Sequence, residues 1–360
     1  MSDSTIDRPP GVQSAPPGGS DSAGPATGDL GWRLERATPA SPSAPTQPGA
    51  GRSSQAVTVV PLSSPRRLRT FQRLAPRVAS PRDDTDPWEI RRTIDRMARW
   101  APPTPGVRAT TSSVAGVPGE WLVPRVRSDE RLLLYLHGGG YIAGSPRTHR
   151  SLVGSLASSM GAAAFVPQYR LAPEHPFPAA LDDVRAVYDE LVRRGYGDRL
   201  VVAGDSAGGG LATALMVDRR DAGGAMPQRL ALLSPWVDLT GPIPEAVLDR
   251  EATDVVMAPH QIRAAARAYA GDQLDHPAVS PLRADLAGLP PTLIQVGSAE
   301  LLGLEGELLS DKLRAAGVEA ALEIWNSMAH VFQAVPVLKE RRPAIARLAG
   351  HLSSSSPGSA

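Results

Sequence analysis

The sequence predicts an α/β fold built on a mostly parallel β-sheet with helices on both faces, and three observations carry that expectation. Short, near-continuous apolar runs recur along the chain: RLLLYLH, AAAFVPQY, RLVVAG, RLALLSP, PTLIQVG and EAALEIW. Runs of that kind are strands buried on both sides, as in parallel sheets. Helix-like segments at 149–160, 181–193, 207–220 and 306–316 separate most of them, so strand and helix alternate. The composition, 42% hydrophobic and 21% charged, suits a globular core. By length, 360 residues suggest about two domains, although a large α/β fold can use such a chain as one.

Bulk properties narrow the function classes. A formal net charge of +1 gives no general attraction to nucleic acid or to anionic membranes. The absence of cysteine excludes a disulfide framework, a cysteine-ligated metal and a thiol nucleophile. The start, MSDSTIDRPP, lacks the apolar segment of a secretory signal. No run approaches the roughly 18 apolar residues that span a bilayer. The expected location is the cytoplasm.

In chain order, the first 55 residues hold nine prolines, eight glycines and nine serines, with Trp32 as the only aromatic. Such a segment buries too little apolar surface to offset its ordering entropy, so disorder is expected. The stretch SPRRLRTFQRLAPRVASPR follows, with six arginines and no acid. It reads either as a basic arm for an anionic partner or as a solvated linker or helix leading into a cap. Pro76 and Pro81 favour the second. In DPWEIRRTIDRMARW, Trp88, Ile90, Ile94 and Met97 recur at near-helical spacing behind Asp86 as N-cap and Pro87 at the first helical position. GEWLVPRV opens the strand-like series. Between Thr240 and Asp275 the alternation breaks into a Pro-punctuated helical insertion, AVLDREATDVVMAPHQIRAAARAYAGD.

The chemistry centres on VVAGDSAGGGLATAL. Gly204-Asp205-Ser206-Ala207-Gly208 fits G-x-S-x-G, with a strand before it and a helix after it. A nucleophilic serine on such an elbow adopts a strained backbone, and side chains two residues either side would collide with strand or helix. The bland alternatives are a plain Gly-rich turn or a phosphate loop, but neither G-x-x-x-x-G-K-[ST] nor G-x-G-x-x-G is present here. An activated serine needs a base, and the base an orienting carboxylate; on α/β-hydrolase scaffolds the chain order is serine, acid, histidine. Of the histidines after Ser206, His260 and His276 fall in the insertion and His351 in a serine-rich tail. His330 follows EAALEIW through the short loop NSMA, the expected slot. PTLIQVG runs into Ser298-Ala299-Glu300, which puts Glu300 at a strand's carboxyl edge. Glu305, Glu307 and Asp311 belong to the following helix and are expected to point away. As an alternative role, Glu300 could cap that helix. Upstream, His137-Gly138-Gly139-Gly140 ends a strand, and its glycines allow close backbone approach to a substrate oxygen. The N–H groups of Gly139, Gly140 and Ala207 are the candidate oxyanion hole, with His137 a structural partner of the loop.

These residues, together with LLLYLHGGGYIAGSPRTHR, QYRLAPEHPFPAALDDV, LLSPWVDLT, VSPLRADLAGLPPTLIQVGSAELL and IWNSMAHVFQAV, make the chain resemble the hormone-sensitive-lipase-like α/β-hydrolase esterases, bacterial family IV. The likeness covers roughly residues 86–348. It implies an eight-stranded, mostly parallel sheet with a helical cap built from N-terminal helices and the insertion. It also implies Ser206, Glu300 and His330 as nucleophile, acid and base. One departure stands out: the family's acid is usually aspartate in a D-P-L-R-D-like string, where this chain has Glu300 in SAELLGLEG. In YRLAPEHPFPA, Glu174 is expected to satisfy buried backbone groups. The domain reading is a disordered tail at 1–62, a basic linker and cap helices at 63–106, a catalytic domain at 107–352 with the cap insertion at about 241–275, and a disordered end at 353–360.

The expected activity is hydrolysis of short to medium acyl esters through an acyl-enzyme, with no metal or organic cofactor. The expected partner is a small-molecule ester and not nucleic acid, with a homodimer left open. Deacetylation of a small metabolite, N-acetyl groups included, or lactone opening would use the same residues. A non-catalytic ligand receptor is the rival from another class. The presence of Ser206, His330 and HGGG argues against it.

Overall fold

The computed structural model describes residues 57–79, 86–99, 101–128, 130–241, 254 and 256–354, all within the unit Ser53–Ala360. The expected tail up to residue 56, most of the first part of the insertion, and the last six residues lie outside the described residues.

Among the described residues nine strands form one sheet: β1 (Thr58–Val60), β2 (Val107–Val114), β3 (Val117–Pro124), β4 (Leu132–Leu136), β5 (Ala163–Pro167), β6 (Leu200–Asp205), β7 (Leu230–Leu233), β8 (Thr292–Gly297) and β9 (Ala320–Trp325). Their order is β1-β9-β8-β7-β6-β4-β5-β3-β2, antiparallel only where β3 meets β2 and β5. Between and after them run helices α1 (Pro65–Ala79), α2 (Pro87–Ala98), α3 (Pro146–Met160), α4 (Ala179–Leu191), α5 (Ala207–Asp221), α6 (Pro259–Ala270), α7 (Gly303–Ala315) and α8 (Arg341–Ser353).

Period-2 alternation distributes the central strands' side chains between two cores. Leu132, Leu134 and Leu136 face one side with Val184 and Tyr188 of α4, Leu211 and Leu215 of α5, and Leu309 and Leu313 of α7. Leu133 and Tyr135 face the other with Leu152 and Leu156 of α3 and Ile345 and Leu348 of α8. All five residues of β4 are buried, which is what makes its sequence read as an unbroken apolar run.

The strand count corrects the eight expected. The extra strand, β1, lies inside the stretch 1–62 expected to be disordered. Thr58, Val59 and Val60 pair in parallel with Glu323, Ile324 and Trp325, so a β-branched triplet too short to show as a strand is stabilised by the edge it joins. β2 also escapes the pattern because most of its residues are exposed and polar. A two-residue turn fixes it against β3, with Ala115 at φ 52° and Gly116 at φ 80°.

Two helices differ in detail. α1 continues through Pro76, expected to interrupt it. α8 takes in His351, which belongs to a packed helix and not to a tail; its Nε2 lies 3.0 Å from the Leu230 carbonyl oxygen. In α2, Asp86 caps as expected, accepting the Trp88 N–H.

Candidate active site

β6 ends at Asp205 and α5 begins at Ala207, so Ser206 makes the whole turn. Its backbone sits at φ 52°, ψ −124°, a conformation a β-carbon normally avoids. Four bonds hold it there: the Ser206 N–H donates to the Leu233 carbonyl at 2.9 Å, and the Ser206 carbonyl accepts from Gly209, Gly210 and Trp236. The flanking glycines are required by space. A β-carbon on Gly204 would collide with the Gly208 carbonyl, and one on Gly208 with those of Leu136 and His137. The serine side chain makes no capping bond to α5, so its hydroxyl is not spent on the helix.

Glu300 lies three residues beyond β8, fully buried. Its Oε1 accepts the Gly297 N–H at 2.8 Å, while Oε2 lies 2.9 Å from His330 Nδ1. The longer side chain therefore reaches back to its own strand end with one oxygen and forward to the imidazole with the other. His330 is reached from β9 through a loop seated on neighbouring strand ends. The Val331 N–H donates to Ser234 Oγ just past β7, and any β-carbon on Gly297 would strike the Met328 carbonyl. β7 is the strand between those that present Ser206 and Glu300, and His330 follows β9, so the three residues leave the carboxyl ends of β6, β8 and β9 in the parallel part of the sheet. Ser206 and His330 are each only 6% exposed. Burial opposes the imidazolium, but the hydrogen bond and charge of Glu300, with the charges of Asp254 and Asp205, hold His330 above its ordinary pKa.

The HGGG loop leaves β4 beside the elbow. Gly139 (φ 124°), Gly140 (φ 63°) and Tyr141 (φ 62°) lie in the left-handed half of backbone space, and the Gly139 carbonyl accepts the N–H groups of Ile142 and Ala143. Ala207 opens α5, where first-turn N–H groups have no carbonyl of their own helix to meet.

Several residues around the site were not singled out by sequence reasoning. Asp205, between elbow and sheet, is a buried carboxylate bonded to Tyr135 Oη (2.8 Å) and the Gly138 N–H (3.1 Å), with His149 Nε2 at 3.3 Å. It joins the elbow, the glycine loop and α3. Burial opposes its charge, yet His149 and Tyr135 hold its carboxyl below the usual range. The signal was available: a charge at the end of a buried strand needs partners. His137 stacks on Tyr169 and is pushed down to about 3 by burial, so it is neutral, as suits a structural residue.

Two expectations are corrected. Glu174 bonds its own backbone N–H and reaches the buried carbonyls only through a partner: it pairs with Arg91 of α2, at 2.6 Å and 2.8 Å, and Arg91 donates to the carbonyls of Ile142 (2.5 Å) and Ala172 (2.7 Å). A guanidinium has the donors for two carbonyls and a carboxylate together, which a glutamate lacks. Its partner holds the Glu174 carboxyl down at about 2. Glu305 does not point away into solvent. It turns inward and accepts the N–H groups of Val237 (2.6 Å) and Asp238 (2.9 Å), and burial pushes its carboxyl up to about 8.

An elbow serine and a buried carboxylate–imidazole pair, at the carboxyl ends of parallel strands in one sheet, are features of a hydrolase-type site. The chain belongs to the alpha/beta hydrolase fold family, whose model matches residues 133–334. It is 43% identical over 229 residues to an acetyl-hydrolase of Streptomyces hygroscopicus, covering 63% of this chain and 76% of that protein. It is 35% identical over 250 residues to an esterase of Acinetobacter venetianus, covering 69% and 82%. An esterase structure from the bacterial hormone-sensitive lipase family superposes with a TM-score of 0.76 at 37% identity, over 81% of this chain and 99% of that one. Among the described residues no helix is long and apolar enough to cross a membrane.

Proposed function

We propose that this protein is a serine carboxylic-ester hydrolase acting on short to medium acyl esters, with Ser206 as nucleophile, His330 as base and Glu300 as the orienting acid. The observation that carries the reading is the buried 2.9 Å contact between Glu300 and His330 on the rim where Ser206 makes its strained turn. With Nδ1 engaged by Glu300, Nε2 is the nitrogen left to take a proton. As Ser206 Oγ attacks the ester carbonyl, His330 accepts the hydroxyl proton. The carbonyl electron pair moves onto oxygen, against the N–H groups of Gly139, Gly140 and Ala207. Collapse breaks the bond to the alcohol oxygen, which leaves with the proton from His330. Water then attacks the acyl-enzyme through the same base, releasing the acid and regenerating Ser206. Glu300 fixes the tautomer and stabilises the transient imidazolium without itself taking the proton.

The test is hydrolysis of short p-nitrophenyl esters by Ser206→Ala. The expected loss in kcat is about 10⁴–10⁶-fold with the fold intact by circular dichroism; retained hydrolysis overturns the assignment. Deacetylation, N-acetyl groups included, is the second reading, favoured by the likeness to the Streptomyces acetyl-hydrolase. A panel varying acyl length and setting amide against ester leaving groups separates the two.

A further inference from the structure

Asp254 approaches the candidate machinery from the cap insertion. Its Oδ1 accepts the N–H groups of Val256 (2.9 Å) and Met257 (3.2 Å), forming the turn that leads into α6. Its Oδ2 accepts the N–H of Leu301 at 3.0 Å, 47 residues away in sequence and next to Glu300. A turn-forming aspartate accounts for the first two bonds; the third ties the cap to the main chain that carries the acid. Glu300 contacts the His330 imidazole directly, and the charges of Asp254 and Asp205 favour its protonated form. Burial raises the Asp254 carboxyl, with His330 and the backbone donors pulling the other way.

We propose that Asp254 is a positioning residue of the hydrolytic site, fixing the backbone beside Glu300 from the cap side and setting a further negative charge near the histidine base. The inference rests on the assignment of Ser206, Glu300 and His330 above. Asp254 touches no reacting atom in this scheme; it acts through its neighbours. A carboxylate near an imidazole favours the protonated ring, so removing the charge frees the base at lower pH. A purely structural turn residue would alter stability or turnover and leave the pH dependence where it was.

The experiment is the pH profile of kcat/KM on p-nitrophenyl acetate for the full chain, Asp254→Asn and Asp254→Glu. Asp254→Asn is expected to move the acid limb down by about half a pH unit or more, so that at the acidic end it keeps about threefold more of its plateau rate than the unaltered chain. Asp254→Glu, which keeps the charge, is expected to leave the limb in place. An unmoved limb in Asp254→Asn, or equal displacement in both variants, overturns the proposal. If Asp254→Asn does not accumulate as folded protein, Asp254→Ser, which keeps an acceptor and loses the charge, must give the same displacement. Failure here is distinct from failure of the hydrolase reading, which shows instead as activity surviving in Ser206→Ala.

Discussion

At the scale of single residues, the methylene that distinguishes Glu300 from aspartate is taken up by geometry. One oxygen meets the Gly297 N–H and the other meets His330 Nδ1. Shortening the side chain forfeits one of these contacts. Glu300→Asp is therefore expected to fold normally and lose about 10- to 100-fold in kcat, the scale of a misplacement near 1 Å. Glu300→Gln is expected to lose about 10⁴-fold, because an amide can hold the wrong tautomer; steady-state kinetics with p-nitrophenyl esters reads both. Glu305 makes a different prediction, about stability. Its carboxyl, with an ordinary value of 4.5, is pushed up to about 8 in the folded chain. The folded state thus holds a proton that the unfolded state has released, and stability from this group is lost as pH rises through that window. Glu305→Gln keeps an acceptor for the Val237 and Asp238 N–H groups and removes the titration. Its melting temperature should fall less than the unaltered chain's between pH 5 and 8.5, by at least about 2–4 °C; parallel curves would contradict the assignment.

At the scale of elements, the elbow and the HGGG loop are held by contacts that admit no bulk. Gly208→Ala would push a methyl into the carbonyls of Leu136 and His137. It is expected to cost at least about 1–3 kcal/mol, read as a lower urea midpoint. Arg91 pins α2 to the segment just beyond Gly140 through the Ile142 carbonyl, braced by Glu174 and by the Trp88 ring 4.5 Å away. Arg91→Ala is expected to lower stability by about 1–3 kcal/mol and to lower kcat more than it raises KM. The elements legible in sequence were those whose burial shapes every position. β4 to β9 have both faces covered, and the Gly-rich turn around Ser206 is crowded locally. β2 was hidden because its residues face solvent, and β1 because its stability comes from β9. In the same way Ser206, Glu300 and His330 are proposed as the site from their places at strand ends. Asp205 with His149, Arg91 with Ile142, and Asp254 with Leu301 could not be picked out, because only folding brings together partners 56, 51 and 47 residues apart.

For the whole molecule, those pairings tie the candidate site to parts of the chain far from it in sequence. Helix α2, between β1 and β2, holds the segment after the glycine loop through Arg91, and the insertion after β7 holds the main chain next to Glu300 through Asp254, so two separate pieces of chain brace one rim. All of these residues lie within the unit beginning at Ser53. A chain starting at Ser53 is accordingly expected to keep kcat/KM within about twofold, since no group argued to touch or position the reacting atoms is removed. The central claim, that Ser206 is made reactive by His330, is tested most directly by mass spectrometry after exposure to a fluorophosphonate. One adduct on the Ser206 peptide, absent in Ser206→Ala and slowed at least about 10³-fold in His330→Ala, is the expected result. An adduct on another residue, or labelling undiminished by loss of the imidazole, would contradict it.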